Sequence, residues 1–346
     1  MGWIPAQIGR SHPRRTRVER VSCNSSNGMQ SRRRMTKRKS DGTVGPWARE
    51  KLDALGEYLN FYTTVLKNQA HWCRGTVFVD AFAGPGKSKV RAIPKSSEPK
   101  REDFFDDVVP MTDDEEGDEF VNGSPRVALD IKNPFNNYFF IERDPQRVAE
   151  LRTLAGDYGD TRKIVVKEGD ASAELLAILG SKANWSGYRG VIFVDPFGMH
   201  IPWSTLEALA KTRVFEIIIN FPLGMAIQRF LIRHGEIPAN WAATLDDFFG
   251  SPDWRLHAYE SSDTLFGSDT VKLADSGKRL LEWYLGRLKD AFGHVSPARL
   301  IRNTQGGHLY YLIWAGPHPK GLDGARAILG KGDEVRAPRK RPTAKR

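Results

Sequence analysis

Four acidic residues stand where runs of β-forming residues end: Asp80 after Thr76-Val77-Phe78-Val79, Glu142 after Phe139-Phe140-Ile141, Asp170 after Glu168-Gly169, and Asp195 after Phe193-Val194. In an open α/β sheet, ligands bind beyond the carboxyl ends of the strands, so such a series is a candidate binding constellation. The first run leads into Ala81-Phe82-Ala83-Gly84-Pro85-Gly86, whose small residues let a ligand approach the backbone and offer amides to an anionic group. Glu142 is placed to accept hydrogen bonds from two ribose hydroxyls, and Asp170 to accept from an adenine amino group. Gly-Asp is equally a turn dipeptide, and a lone Gly84-x-Gly86 equally a tight turn. The last run continues as Asp195-Pro196-Phe197-Gly198. There the Asp195 carboxylate and the following Pro196 carbonyl can accept both hydrogens of an exocyclic amine while Phe197 stacks on the base. Alignment supplies most of the acceleration in such a transfer, so no strong base is needed. The plainer reading is a proline turn with a core phenylalanine.

The elements that must hold these residues alternate. Apolar positions Leu52, Leu55, Leu59, Tyr62, Val65 and Leu66 recur at helical spacing over 47–69. Strands are expected at 76–80, 137–142, 163–167, 190–195 and 215–221, and helices at 125–132, 145–155, 171–180 and 203–211, with Ser124 as the N-cap of the first. This order predicts a Rossmann-like, doubly wound, mostly parallel sheet. Residues 225–275 read as a helical excursion, followed by a helix at 278–292, an antiparallel last strand at 308–314 and a short helix at 321–329.

One insertion of charge interrupts the pattern. Residues 98–119 hold eleven acids against Lys100 and Arg101, so 88–122 reads as a flexible acidic insertion. Removing its 35 residues brings Glu142 to 21 positions beyond Gly86, close to the roughly 20 of dinucleotide sites. Gly86-Lys87-Ser88 matches the end of a phosphate loop, which leaves a nucleotide hydrolase using Lys87 and Ser88 as a rival. Ala81 stands where that motif needs its first glycine.

Residues 47–330 together resemble one family. Asp80-Ala81-Phe82-Ala83-Gly84-Pro85-Gly86, Gly123-Ser124-Pro125-Arg126, Phe140-Ile141-Glu142, Gly169-Asp170, Asp195-Pro196-Phe197-Gly198 and Asn220-Phe221-Pro222, after the Leu59-x-x-Tyr62 helix, look like the three-Cys-motif partner proteins, TcmP. That family is similar to class I methyltransferases dependent on S-adenosylmethionine (SAM). The resemblance implies SAM at Asp80, Phe82, Gly84 and Gly86, ribose at Glu142, adenine at Asp170, and a three-Cys-motif partner protein. Asp195 through Gly198 is similar to the loop of tRNA guanosine-N2 dimethyltransferases and departs from the Asp-Pro-Pro-Tyr form of adenine-N6 enzymes. The expected activity is methyl transfer to an exocyclic amine of RNA or DNA, by Asp195, Pro196 and Phe197. The rival within the same fold is a non-catalytic adaptor.

Composition narrows the setting. The net charge of +10 lies in the tails: residues 1–40 carry eleven Lys or Arg against one Glu, and 331–346 carry seven against two acids. Residues 1–44 and 331–346 are therefore read as disordered basic tails around one domain at 45–330, able to hold a nucleic-acid backbone or simply to be solvated. Met29 and Met35 offer later translation starts. No apolar run approaches the roughly 20 residues of a membrane span, and Cys23 and Cys73 support neither a disulfide framework nor a metal site. The expected setting is cytoplasmic, with no metal.

Overall fold

The computed structural model describes residues 43–44, 47–91, 116–159, 162–180, 184–264, 267–303, 306–330 and 334–335. The expected tails and the Asp113-Asp114-Glu115 block lie almost wholly outside them. In chain order the elements begin with β1 (Thr43–Val44), α1 (Trp47–Leu66), β2 (Gly75–Asp80), β3 (Lys87–Arg91), β4 (Glu116–Asn122) and α2 (Ser124–Leu129). They continue with β5 (Asn137–Glu142), α3 (Pro145–Asp157), β6 (Lys163–Glu168), α4 (Ala171–Gly180), β7 (Tyr188–Val194), α5 (Trp203–Lys211) and β8 (Phe215–Phe221). A π-helical turn at Leu223–Ile227 precedes α6 (Gln228–Phe230), α7 (Ala239–Phe249), α8 (Trp254–Ala258), β9 (Tyr259–Thr264) and β10 (Gly267–Lys272). Last come α9 (Ser276–Phe292), β11 (His294–Val295), β12 (Ala298–Arg302), β13 (His308–Gly316), α10 (Pro319–Leu329) and β14 (Glu334–Val335).

Among the described residues the central sheet has nine strands, eight of them in the order β14-β12-β13-β8-β7-β2-β5-β6, with β11 beside β13. Strands β6, β5, β2, β7 and β8 are parallel, and β13 runs antiparallel to both β8 and β12. The chain moves outward from β2 through β5 to β6, then returns to the other side of β2 for β7 and β8. Strand order therefore reverses between β2 and β7, which opens a crevice at their carboxyl ends. This is the mixed α/β, mostly parallel sheet that the alternation of periods demanded.

Side-chain alternation gives the sheet two apolar faces. Val77, Val79, Ile192, Val194, Ile217 and Ile219 pack toward Leu206, Leu209, Tyr284 and Leu288 of α5 and α9. Phe78, Phe193, Ile218, Leu312 and Trp314 pack toward Leu55, Tyr58 and Leu59 of α1 and Leu322 of α10. Two residues beyond Phe78, Phe193 and Ile218 stand Asp80, Asp195 and Asn220, so the second face carries a polar row at its carboxyl edge.

Four expectations need correction. The two ends of the insertion 88–122 are not flexible loop: β3 and β4 pair antiparallel, Lys87 opposite Asn122, and β1 adds to β3 in parallel. The Gly123 amide donates to the Gly86 carbonyl at 2.8 Å, closing the ribbon against the first loop. Ser124 is not the N-cap of α2; Gly123 holds that position, Ser124 is the first helical residue, and the helix ends at Leu129. The excursion at 225–275 is helical only to Ala258, after which β9 and β10 form a hairpin with Tyr259 opposite Lys272. Among the described residues, no helix is long and apolar enough to cross a membrane.

Candidate functional site at the strand switch point

The loop after β2 is held from both sides. The Ala81 amide donates to the Phe193 carbonyl of β7 and the Ala83 amide to the Ile141 carbonyl of β5, each at 2.9 Å. Gly84 and Gly86 have φ of 64° and 75°, the left-handed region that a side chain opposes. The two differ in surroundings: a Cβ at Gly86 would meet Leu154 Cδ2 at 2.6 Å, whereas nothing lies within 4 Å of one at Gly84. Gly86 is thus required by packing, and Gly84 leaves a flank open to a ligand. Phe82 is half-buried and packs against the core on the α5 and α9 face, with its amide donating to Asp80 Oδ1 at 3.2 Å.

Glu142 fastens this loop. Its Oε2 accepts the Gly84 amide at 3.0 Å, and its Oε1 accepts the amides of Arg143 and Asp144 at 2.8 and 2.9 Å. A carboxylate offers about four lone-pair sites, so about one remains for a ribose hydroxyl, not the two expected. Asp144 in turn caps α3 through the Gln146 and Arg147 amides. Asp170 is exposed and caps α4, its Oδ1 accepting the Ala173 amide at 3.0 Å. The turn role weighed for it is therefore real, and its strand end is joined to Glu142 by the Gly169 amide donating to the Glu142 carbonyl at 3.0 Å.

Across the crevice, Asp195 follows β7. Its Oδ2 accepts from Lys51 Nζ of α1 at 2.5 Å, and its Oδ1 from Asn220 Nδ2 of β8 at 2.7 Å. Pro196 is buried, while Phe197 is 76% exposed, far from the core position that the plainer reading gave it. The Lys51 ammonium also lies 5.5 Å from the Tyr310 ring centroid. Burial works against the charge on Lys51, yet Asp195, Tyr310 and Asp80 around it hold its pKa above the ordinary lysine value. Burial pushes the Asp80 carboxyl up to about 7, opposed by Ser124, the Phe82 amide and Lys51. Asp80 Oδ2 and Asn220 Oδ1 are buried without hydrogen-bond partners.

Asp80, Gly84, Gly86 and Glu142 thus come together on one side of the switch point, and Asp195, Pro196 and Phe197 stand on the other. Lys51 and the role of Asn220 were missed. The signal was present for Lys51: positions 51, 55, 58 and 62 share one helical stripe, and a lysine in a stripe of Leu55, Tyr58 and Tyr62 is out of place there. The hydrolase residues fare differently. Lys87 and Ser88 open strand β3, so the loop does not lead into the helix whose N-terminus a phosphate loop uses. No group of three or more His, Cys, Asp or Glu that could hold a metal occurs among the described residues.

No protein-family model matches the chain, and no curated protein matches it. Among solved structures, it is similar to the crystal structure of protein LPL1258 from Legionella pneumophila str. Philadelphia 1, family model DUF519. The identity is 13% and the TM-score 0.41, over 82% of this chain and 95% of that one. A conserved hypothetical protein from Streptococcus pyogenes is 12% identical with a TM-score of 0.26, over 57% of this chain and 83% of the other. Neither likeness bears on function.

Proposed function

We propose that the crevice between β2 and β7 binds SAM and that the chain is a methyltransferase-like protein acting on an exocyclic amine of a nucleic-acid base. One observation carries the reading: a glycine loop with an open flank and the unpartnered Asp80 Oδ2 face Asp195 and the exposed Phe197 across a topological switch point. The residues present fit the cofactor in this respect, since the Gly84 flank has room for close backbone approach and Glu142 keeps lone-pair capacity beside it. When bound, SAM supplies an electrophilic methyl group on a sulfonium. Gly84, Gly86 and Asp80 would hold its amino-acid end, Glu142 its ribose and Asp170 its adenine.

The chain's own part is orientation. Asp195 and the Pro196 carbonyl accept the amine hydrogens, which aims the nitrogen lone pair, and Phe197 offers an aromatic face to the base. The substrate class, RNA or DNA, and a three-Cys-motif partner protein come from the family resemblance and the basic tails. The test is transfer of tritiated methyl from SAM to total RNA and sheared DNA. Label is expected with the wild type and lost with Asp195→Ala; label undiminished in that variant would remove the acceptor loop from the account.

A second reading, a non-catalytic adaptor, is favoured by the same contacts on Asp195, because Lys51 and Asn220 already occupy both of its oxygens. It predicts binding of S-adenosylhomocysteine with no transfer to any nucleic acid.

A further inference from the structure

Lys51 and Lys272 are both drawn into the fold, and their partners differ in charge. Lys51 donates to the Asp195 carboxylate, so neutralising it would strand a partly buried negative charge. Lys272, at the end of β10, donates instead to two neutral oxygens, Gln228 Oε1 at 3.0 Å and the Leu231 carbonyl at 3.1 Å. No carboxylate among the described residues pairs with it. An ammonium has three N–H groups to place, whereas a neutral amine has two and a lone pair. The two acceptors therefore satisfy a neutral amine in full and leave its lone pair free. Burial acts in the same direction and holds the pKa of Lys272 below the ordinary lysine value. The surrounding chain is fastened without this ammonium: the Lys272 amide donates to the Arg233 carbonyl at 3.0 Å, and Tyr259 Oη, across the hairpin, to the Ile232 carbonyl at 2.9 Å.

We propose that Lys272 Nζ is a nucleophile and that this residue is a site of acylation by small acyl phosphates. In the step, the Nζ lone pair bonds to the acyl carbon and the bond from that carbon to the phosphate oxygen breaks. Phosphate leaves with the electron pair and takes up the proton displaced from nitrogen. The product amide keeps one N–H for one of the two acceptors, and no carboxylate is left without its cation. Desolvation away from carboxylates is what activates a lysine amine, and the half-buried position of Lys272 still leaves the nitrogen within reach of a small reagent. The reaction does not involve the crevice between β2 and β7, so it stands apart from the methyltransferase reading.

Competitive labelling of the wild-type full chain tests this without any variant. The folded protein is treated with acetyl phosphate near neutral pH, and the acetylation of each lysine is followed by peptide mass spectrometry. Lys132 and Lys320, both exposed, serve as internal references. Lys272 should acetylate about 5-fold faster than either, although it is the less accessible, because a modest lowering of an amine's pKa multiplies its neutral fraction several-fold. Lys51, tied to Asp195, should be the slowest of the four. In urea, where the fold is gone, Lys272 should react at the same rate as the references. A rate for Lys272 in the folded chain no greater than those of Lys132 and Lys320 would overturn the proposal. An excess that persists undiminished in urea would overturn it too, since the reactivity would then belong to the local sequence and not to the site.

Discussion

Glu216 at the start of β8 and Asp80 at the end of β2 are both buried carboxyls on the face covered by α1, and burial pushes each up to about 7. Their surroundings are completed differently. Glu216 Oε2 accepts from Tyr58 Oη at 2.5 Å and from Trp314 Nε1 at 3.2 Å, between α1, β8 and β13. Asp80 keeps an oxygen without a partner. The difference lies in what reaches each group: Tyr58 of α1 and Trp314 of β13 converge on one oxygen of Glu216, whereas at the carboxyl edge Lys51 of α1 is directed to Asp195 and Asp80 Oδ2 is left over. A buried carboxyl is therefore no marker of function by itself. What distinguishes Asp80 is an unpartnered oxygen at the carboxyl end of a strand beside the switch point.

The contrast can be broken by removing each group. Glu216→Ala leaves the Tyr58 and Trp314 donors buried and unpaired, and should cost about 3 kcal/mol of stability in urea unfolding. Binding of S-adenosylhomocysteine should be unchanged by it. A large loss of ligand affinity with intact stability would reverse the roles assigned to the two carboxyls.

The pH dependence sharpens the same comparison. The ordinary values of these carboxyls are 3.8 for Asp80 and 4.5 for Glu216, so between about pH 4 and 7 the folded chain binds protons that the unfolded chain has released. The stability from each carboxyl is complete below its unfolded value and is lost as pH rises through about 7. Glu216→Gln, which keeps an acceptor for Trp314, should flatten that decline by about 2–3 kcal/mol in denaturation curves taken from pH 4.5 to 8. An unchanged slope would mean that Glu216 does not titrate in this window.

Smaller effects are expected in the first loop. Gly86→Ala drives a methyl into Leu154 and should cost about 2 kcal/mol, whereas Gly84→Ala meets nothing and pays only the left-handed backbone, about 1 kcal/mol. Affinity for S-adenosylhomocysteine should fall more at Gly84, relative to stability, because the open flank is there. The least effect on folding is expected from Phe197→Ala, within about 0.5 kcal/mol, since the ring is 76% exposed. Filter binding of single-stranded RNA should nevertheless weaken by about 1–3 kcal/mol if the ring stacks on a base.

The sequence showed strongly periodic elements well and polar ones badly. Phe215-Glu216-Ile217-Ile218-Ile219-Asn220-Phe221 has every residue buried, and such an apolar run announces a central strand. Tyr259 through Lys272 carries Glu260, Ser261, Ser262, Asp263, Ser268, Asp269 and Thr270, so its hairpin has no apolar alternation by which to be recognised. Strand β12, Ala-Arg-Leu-Ile-Arg, carries two arginines in five residues and takes its pairing from β13 and β14. In the site, residues at strand ends were legible because topology alone brings them together. Lys51 was legible only as a lysine out of place in an apolar stripe, because its partner depends on how α1 docks. Ser124 had the composition of a cap, but Gly123 took the cap position when the Gly86 carbonyl claimed its amide.

The most direct measurement is calorimetric titration of the full chain with S-adenosylhomocysteine, for the wild type and for Glu142→Gln. The account predicts one site per chain in the wild type and at least about 10-fold weaker binding in the variant, as expected for a lost charge-assisted hydrogen bond. No heat of binding in the wild type, or equal affinity in the two proteins, would contradict a cofactor site at this crevice.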